Sequence, residues 1–264
     1  NMRIISLVLN IVLDYLAISL DYGVSGVAWA TVIIEIVYMI SVVGLARGTV
    51  RYKIDKKSLK ELLDLAKHGI ADRIFGRGGN LVLNIILSRL GTYEYAAHVI
   101  LNQIENFAND FCYGFEIGMT TNVGITLGKN DKGEIKELNR VINKITIVLA
   151  ILIPGIIFVV LIGLLPILLK EQETLQIAYR LIPLVVAYSV LMPIMYKYSS
   201  IIEGMKEFKY NAQISGLTNI IKIVLAYVLS MNIGIEGVWV TFIISYIVRI
   251  VALKRRAKKM NFGC

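Results

Sequence analysis

A stripe of polar residues runs through an otherwise apolar stretch in the first half of the chain. Its members recur at alternating steps of four and three residues: His98, Asn102, Glu105, Asn109, Cys112 and Glu116. That spacing places all of them on one face of a helix. A second stripe, just upstream, repeats every four residues: Asp72, Gly76, Asn80, Asn84 and Ser88. Carboxylates, amides and an imidazole in such a pattern can bind a cation, a proton or the polar part of a ligand.

These two stripes lie in consecutive segments that are apolar enough to enter a membrane. An ionised side chain in hydrocarbon costs about 2.5–3.5 kcal/mol on insertion scales, so the two stripes are not both expected to face lipid. We expect them to share a protein-lined or water-filled cavity. That cavity is the first place to look for a transport pathway.

The charged residues of the stripes suggest how such a pathway could work. Glu105 or Asp110 could bind an exchanging cation or a positively charged substrate, and Asp72 is a further candidate. An arginine such as Arg77 could tune the carboxyl group so that it exchanges a proton for a substrate near neutral pH. Alternatively, Arg77 and Glu105 form a structural ion pair that lets two helices insert and pack.

Other polar side chains admit two interpretations each. The amides of Asn80, Asn84 and Asn102 either line the cavity or join neighbouring helices by hydrogen bonds. Lys197 either pairs with a carboxylate of another span or extends its ammonium group towards water. His98 either titrates near neutral pH or packs between helices. Glu116, near the end of its segment, is expected to be wetted.

The composition is that of a membrane protein. Apolar residues make up 56% of the chain, charged residues 18%, and the mean hydropathy is +0.68. Soluble domains average about 45–50% apolar and 25% charged residues. Cys112 and Cys264 suggest neither a disulfide framework nor a metal site. No nucleophile triad or phosphate-binding loop is recognisable, so we expect neither an enzyme nor an organic cofactor.

Eight segments have the length and apolar character of membrane-spanning helices. They are 3–20, 24–46, 69–90, 95–120, 143–169, 176–202, 210–231 and 235–253. Lysine and arginine concentrate in alternate connections, chiefly 47–67 and 121–142, and in the C-terminal tail. The positive-inside rule therefore places these loops and both termini in the cytoplasm. This distribution also argues that the net charge of +9 does not serve nucleic-acid binding.

The most basic connection contains an amphipathic segment over 55–67. Leu59, Leu62, Leu63 and Ala66 share one face at helical spacing, so we expect a helix lying along the cytoplasmic interface. A solvated linker helix is the alternative. The sequence thus divides into two spans (1–46), a basic linker (47–67), six spans (68–254) and a basic cytoplasmic tail (255–264).

A short motif occurs twice, about 210 residues apart. Gly23-Val-Ser-Gly-Val-Ala-Trp-Ala-Thr31 returns as Gly234-Ile-Glu-Gly-Val-Trp-Val-Thr241, each time at the start of an inward-going span. Equal orientation predicts parallel repeats related by an axis along the membrane normal. Only the second repeat would then be complete, with four spans preceding Asn1. Chance similarity of two small-residue turns is the alternative.

Several motifs together resemble the multidrug and toxic compound extrusion (MATE) family. They are Arg77-Gly-Gly-Asn80, Asn84, Arg89-Leu-Gly-Thr92, Tyr95-Ala-Ala-His98, Ile104-Glu105, Gly114, Val123-Gly124, Leu127-Gly128 and the two repeated turns. The resemblance implies an all-α membrane protein. Its eight transmembrane helices would be the last two helices of an N-terminal lobe and the six-helix C-terminal lobe of a twelve-helix antiporter.

The resemblance also implies a function. Members of the family expel organic cations and other amphipathic, drug-like compounds from the cell in exchange for Na⁺ or H⁺. The expected partners are therefore such small molecules, the lipids of the cell membrane and the missing N-terminal helices, with no nucleic acid. The coupling ion is the only cofactor expected.

The chain departs from the family at positions that matter for coupling. Gly79 and Met192 stand where some members carry a carboxylate, and Phe111-Cys112 replaces a frequent Pro-Gly. The cation site of those members therefore cannot be transferred, and substrate, coupling ion and oligomeric state stay open.

Two rival functions remain. A flippase for lipid-linked saccharides of the wider superfamily would favour a cationic cavity, for which Arg73, Arg77 and Lys197 give support. The other is a transport-incompetent fragment or scaffold.

Overall fold

The structure, a computed structural model, describes residues 2–46, 56–129 and 132–260. Within these ranges the chain forms helices and no strand. The helices are α1 (Met2–Ser19), α2 (Gly23–Ala46), α3 (Lys56–Ser88), α4 (Thr92–Lys129), α5 (Lys132–Leu168), α6 (Gln172–Gly204) and α7 (Phe208–Lys259). The all-α class predicted from the sequence is confirmed.

The last helix, α7, is a hairpin of two helical halves. The backbone dihedral angles leave the helical range at Ile233 (φ −130°) and Gly234 (φ 65°). Arg249 nevertheless donates a hydrogen bond of 3.3 Å to Asn211, which lies 38 positions earlier. A straight helix would separate these two residues by about 57 Å at 1.5 Å per residue. The first half (208–232) and the second half (235–259) therefore lie side by side, and the described chain contains the eight helical segments that the sequence predicts.

Apolar side chains cover much of the outer surface of these helices. On α5, Ile147, Ile151, Val159 and Ile167 are all exposed. Four helical stretches have the length and composition of membrane spans: Gly23–Leu45, Gly133–Leu168, Gln172–Gly204 and Phe208–Lys259. The third and fourth helices are more polar because they carry the two stripes. Large contiguous apolar surfaces of this kind face lipid in membrane proteins.

The chain divides into two compact units, with the boundary between Leu59 and Lys60. In the first unit, α1 packs against α2. Arg3 and Glu35 form an ion pair of 2.8 Å between these two helices. The second unit contains the remaining helices and the cavity described below.

Helix α6 is the centre of the second unit and packs against α4, α5 and α7. Leu181, Val185 and Met192 of this helix are fully buried. At its C-terminal end the backbone approaches α4 closely, because a Cβ atom placed on Gly204 would lie 2.5 Å from Val123 Cγ1. Only a glycine fits this crossing without movement of Val123.

The four prolines lie inside helices, as their predicted positions in spans require. Pro154 and Pro166 are in α5, and Pro183 and Pro193 are in α6. Each removes one backbone donor. Both helices nevertheless continue through their prolines.

The amphipathic segment expected along the membrane interface is continuous with the next span, since α3 runs unbroken from Lys56 to Ser88. Leu59 and Leu63 are exposed. The side chains of Leu62 and Ala66, and the basic stretch 47–55, lie outside the described residues. At the other end of the chain α7 extends to Lys259, so the first half of the predicted tail is helical.

The two copies of the repeated motif have the same local geometry. The first glycine of each copy has a positive φ, 57° at Gly23 and 65° at Gly234. The glycine three positions later makes a close approach in both copies. A Cβ on Gly26 would lie 2.5 Å from Tyr22 Cβ, and one on Gly237 would lie 2.5 Å from the Leu229 carbonyl oxygen. Glycine is required at both positions of both turns, which supports a true repeat.

Candidate functional site: a polar cavity in the second unit

A polar cavity of about 450 Å³ lies within the second unit. Four helix faces form its wall: one each from α3 and α4, and one from each half of α7, with a tyrosine from α6. The lining residues are Asn80, Leu83, Asn84, His98, Asn102, Glu105, Asn106, Asn109, Tyr188, Ser215, Thr218, Asn219, Lys222, Phe242, Ser245, Tyr246 and Arg249. Members of both stripes that were predicted to share a cavity line it together: Asn80 and Asn84 from α3, and His98, Asn102, Glu105 and Asn109 from α4.

The α4 stripe supplies the acidic group of the cavity. The Glu105 side chain is buried, with 6% of its surface exposed. It makes no hydrogen bond or ion pair with any other residue in the described part of the chain. Glu105 lies near enough to Lys222, on the opposite α7 wall, for their charges to interact. A buried carboxyl group with no direct partner is available to a ligand or an ion.

Asparagines extend the polar wall on either side of Glu105. Asn80 and Asn84 come from α3, one helical turn apart, and Asn102 from α4. Asn109, further along α4, accepts a hydrogen bond of 2.7 Å from the Tyr196 hydroxyl of α6. The interpretation of these amides as cavity-wall groups is therefore supported by position, while Asn109 also joins two helices.

The hairpin of α7 brings two cationic groups into the cavity. The Lys222 ammonium donates a hydrogen bond of 3.0 Å to Asn80 Oδ1 and lies 5.8 Å from the centre of the Phe242 ring. Arg249 enters from the second half of the hairpin and donates to Asn211 Oδ1. With Glu105, these residues give the lining two basic side chains and one acidic side chain.

A network of hydrogen bonds holds Arg249 in place. Asn211, its acceptor, is itself buried. The Asn211 amide nitrogen donates to Glu203 Oε1 at 2.7 Å and to Ser199 Oγ at 3.0 Å, both on α6. These two donations fix the amide so that its oxygen points to Arg249. The guanidinium Nε is buried without a hydrogen-bond partner in the described residues.

A cluster of aromatic rings forms part of the cavity wall and continues into the core behind it. His98 is 3% exposed, and its ring centre lies 5.5 Å from that of Trp239 and 6.2 Å from that of Phe242. Tyr188 and Tyr246 pack against each other with their ring centres 4.5 Å apart and their planes tilted by 47°. The packing interpretation of His98 is thus supported by its contacts, although the ring also borders the cavity. Its Nδ1 has no partner among the described residues.

Two of the predicted site residues, Asp110 and Lys197, do not line this cavity. Asp110 is exposed and does not line it. Lys197 is buried on α6, where it donates a hydrogen bond to Asn143 of α5 and lies 4.6 Å from the Tyr198 ring centre. Asp72 and Arg77 are on α3, but their side chains lie outside the described residues.

The expectation that Glu116 is wetted is wrong. Its side chain is only 5% exposed, although it lies on the same α4 stripe as Glu105. The physical reason is the burial of this part of α4 beside α5 and α6, which also buries Cys112 and Met119. The stripe therefore has two parts, of which only the first borders the cavity.

Lys222 and Arg249 line the cavity but are not among the site residues predicted from the sequence. A signal was available, because each is a charged residue inside a predicted span, where ionisable groups are usually functional. The first half of α7 also carries a polar stripe at steps of four, three and four residues: Asn211, Ser215, Thr218 and Lys222. This is the same kind of spacing that identified the α4 stripe.

The lining determines which ligands the cavity suits. It offers one carboxyl group, two basic side chains, several amides and two phenols, together with the apolar ring of Phe242. Within the described ranges there is no cluster of histidine, cysteine and acidic side chains that could hold a metal ion. The arrangement fits a small organic molecule that presents polar and aromatic groups together.

A bundle of apolar helices around a polar, drug-sized cavity defines a polytopic membrane protein of the transporter type. A sequence model of the MatE family matches residues 72–228, which is more than half of the chain. The chain belongs to this family, the multidrug and toxic compound extrusion transporters, which are integral membrane proteins and not enzymes.

A curated relative and several solved structures are similar over nearly the whole chain. The probable multidrug resistance protein NorM of Mannheimia succiniciproducens is 24% identical over 284 aligned residues, covering 98% of this chain. The crystal structure of a point mutant of the Vibrio cholerae MATE transporter VcmN has a TM-score of 0.83 at 20% identity, covering 99% of this chain. A MATE structure in the straight conformation has a TM-score of 0.84 at 18% identity, covering 98%.

The chain spans about 60% of the NorM relative, 63% of VcmN and 62% of the straight-conformation MATE. The fold agrees with these transporters over that part. The family resemblance inferred from the motifs is confirmed.

Proposed function

We propose that this protein exports amphipathic organic compounds across the cell membrane in antiport with Na⁺ or H⁺, by alternating access. This chain would form the last two helices of one lobe and the complete second lobe. The remaining helices of the first lobe would complete the transport path. Rocking of the two lobes would expose the cavity to each side in turn.

The observation that supports this proposal is the position of Glu105. It is a buried carboxyl group, without a direct partner in the described residues, in the wall of a polar cavity inside a membrane protein. An acidic side chain inside a membrane protein costs free energy, so such a residue usually has a function. It can bind a proton, Na⁺ or a cationic substrate. Because these species compete for one group, the movement of the coupling ion is linked to the movement of the substrate.

The coupling group is tested by replacing Glu105 with an isosteric amide in the full-length protein. Glu105→Gln keeps the volume of the side chain but cannot release a proton or offer a full negative charge. We expect it to abolish cation-coupled export of ethidium from cells while membrane insertion stays intact. Export is measured by dye fluorescence, and insertion by the amount of protein in the membrane fraction.

Two further variants make the test specific. Glu137→Gln removes an exposed carboxylate of α5 that lies away from the cavity, and it should leave export unchanged. Asp110→Asn tests the competing assignment on α4. Export at the wild-type rate by Glu105→Gln would contradict the role of Glu105, and loss of export only in Asp110→Asn would transfer that role to Asp110.

A further inference from the structure

A groove of about 380 Å³ runs between α3 and the first half of α7, on the outside of the second unit. Its walls are aliphatic: Val82, Ile85 and Ile86 of α3, and Ile223 and Val224 of α7. Three of these side chains, Val82, Ile85 and Val224, are exposed. None of the residues that line the groove lines the polar cavity. The groove is therefore a separate feature of the surface that faces lipid.

The groove lies near one boundary of the membrane. Its inner end is at the hydrogen bond between Asn80 and Lys222, because these residues come just before the first lining residue of each helix. From Val82 to Arg89 it extends over about 10 Å at 1.5 Å per residue, roughly a third of the hydrocarbon core. Arg89 follows the last residue of α3, so the groove opens where that helix leaves the membrane.

A basic side chain and a phenol stand at the open end. Arg89 and Tyr227 line the groove there, and both are exposed. Arg89 makes no ion pair in the described part of the chain, and Glu94 of the next helix lies against Gly91 instead. A guanidinium group presents a planar fork of donors that matches two phosphate oxygens. Tyrosine is enriched at the depth of the lipid headgroups.

The polar end determines which occupant the groove selects. Lipid tails are as apolar as leucine, so aliphatic walls alone do not favour one lipid over another. A guanidinium group at headgroup depth does, because it forms charge-assisted hydrogen bonds with a phosphate group. The groove thus combines an apolar channel for a hydrocarbon chain with a donor for the group that joins this chain to its headgroup.

We propose that the groove between α3 and α7 is a binding site for a membrane phospholipid. The phosphate group accepts hydrogen bonds from Arg89, with the Tyr227 hydroxyl beside it, and one acyl chain lies along the aliphatic walls. Arg89 is then the residue that distinguishes a phospholipid from a lipid without phosphate. This site is independent of the proposed transport function.

Two other arrangements compete with this one. Arg89 could extend into water while bulk lipids of any kind exchange through the groove, as long basic side chains do at membrane boundaries. Alternatively, a helix of the first lobe could cover the groove in the full-length protein. The first arrangement predicts no preference among lipids, and the second predicts no lipid in the groove.

A matched pair of photoactivatable lipids separates these arrangements. Phosphatidylglycerol and diacylglycerol, with the same diazirine-bearing acyl chains, are each incorporated at low fraction into phosphatidylcholine vesicles that contain the full-length protein. After illumination, mass spectrometry of peptides gives the labelling of the groove (82–86 and 223–227) relative to Val159 and Ile167. These two residues are exposed on α5 and report bulk lipid. We expect this ratio to be about tenfold higher for phosphatidylglycerol, the effect of hydrogen bonds to a charged group.

Variants then assign the preference to Arg89. Arg89→Gln should lower the ratio for phosphatidylglycerol about tenfold, to that for diacylglycerol. Lys170→Gln is the matched control. Lys170 is an exposed basic residue in the turn after α5, two spans further along and so at the same membrane boundary, but it does not line the groove. This change should leave the ratio as it is.

The wild-type protein alone can overturn the proposal, so the test does not depend on the folding of a variant. Equal ratios for the two lipids would show that the groove holds bulk lipid, and absence of label from the groove would show that protein covers it. A preference for phosphatidylglycerol that persists in Arg89→Gln, or that is lost equally in Lys170→Gln, would contradict the role of Arg89.

Discussion

Lys222 donates a hydrogen bond of 3.0 Å to Asn80, although 142 positions separate the two residues in the sequence. The contact joins α3, the first helix of the second unit, to α7, the last helix of that unit. It also directs the Lys222 side chain towards the α3 wall, which consists of Asn80, Leu83 and Asn84. The contact thus joins two walls of the cavity that lie at opposite ends of this unit in the sequence.

This contact predicts coupling between the two residues in the stability of the protein. Asn80→Ala should free the Lys222 ammonium to move and so lower the free energy of unfolding. In a double-mutant cycle with Lys222→Met, we expect a coupling free energy of about 1 kcal/mol, typical of a hydrogen bond to a charged group after solvent exchange. The measurement is the free energy of unfolding of the four proteins in mixed micelles titrated with a denaturing detergent. Strictly additive effects would show that Asn80 does not position Lys222.

A second prediction concerns the network behind Arg249. Asn211→Ala removes the oxygen that accepts from Arg249 and the amide that Ser199 and Glu203 hold. We expect a loss of about 1–3 kcal/mol in the free energy of unfolding, because three hydrogen bonds are removed at a buried position. The same detergent titration measures this loss.

Asn232→Ala is the matched control for this change. It also removes an amide from the α7 hairpin, but that amide donates only to the Val228 carbonyl of its own helix, at 2.7 Å, and is exposed. It should leave the free energy of unfolding nearly unchanged. A similar loss in the two variants would indicate a general loosening of the hairpin instead of a specific role for Asn211.

The turn of the hairpin predicts a difference between two glycines. A Cβ on Gly237 would lie 2.5 Å from the Leu229 carbonyl oxygen, so Gly237→Ala must push the two halves apart and lower the melting temperature. Gly155 of α5 has no atom within 4 Å of the corresponding position. Gly155→Ala should therefore be neutral or stabilising, by up to about 1 kcal/mol from helix propensity. Thermal unfolding of the two purified variants measures the difference, and equal melting temperatures would contradict it.

The aromatic cluster beside the cavity predicts a large stability effect. Trp239 is fully buried, and its ring centre lies 5.2 Å from that of Phe242. Trp239→Ala should reduce the free energy of unfolding by about 3 kcal/mol or more, the usual cost of such a cavity. Unfolding in mixed micelles titrated with a denaturing detergent measures this quantity. Ile151→Ala, at an exposed site of α5, should cost less than about 1 kcal/mol, and a comparable loss there would contradict the assignment of Trp239 to the core.

Sequence reasoning predicted the helices and two of the four cavity walls. Length and hydropathy located the eight helical segments, and the spacing of Asn80, Asn84, Asn102 and Glu105 placed them on faces that meet. These properties are local, since each follows from residues on one helix. The glycine motif likewise indicated the hairpin turn at Gly234.

Contacts between distant helices could not be predicted in this way. The bond from Tyr196 to Asn109 and that from Lys197 to Asn143 depend on how far each helix is rotated about its axis and shifted along it. A single sequence does not determine those two quantities. Lys197 and Asp110 satisfied the rule that a charge in a span is functional, yet only the packing of the helices shows which charges border the cavity.

The hairpin of α7 also has an evolutionary consequence. Both positive groups of the cavity reside in one C-terminal segment, Phe208–Lys259, while the carboxylate resides in α4. Exchanging this segment with that of a relative would therefore change the net charge of the cavity in one step and leave the α3–α4 wall untouched. Recombination at the short 205–207 connection would be enough to create a transporter with a different ligand preference, and a chimera joined there is the direct way to build one.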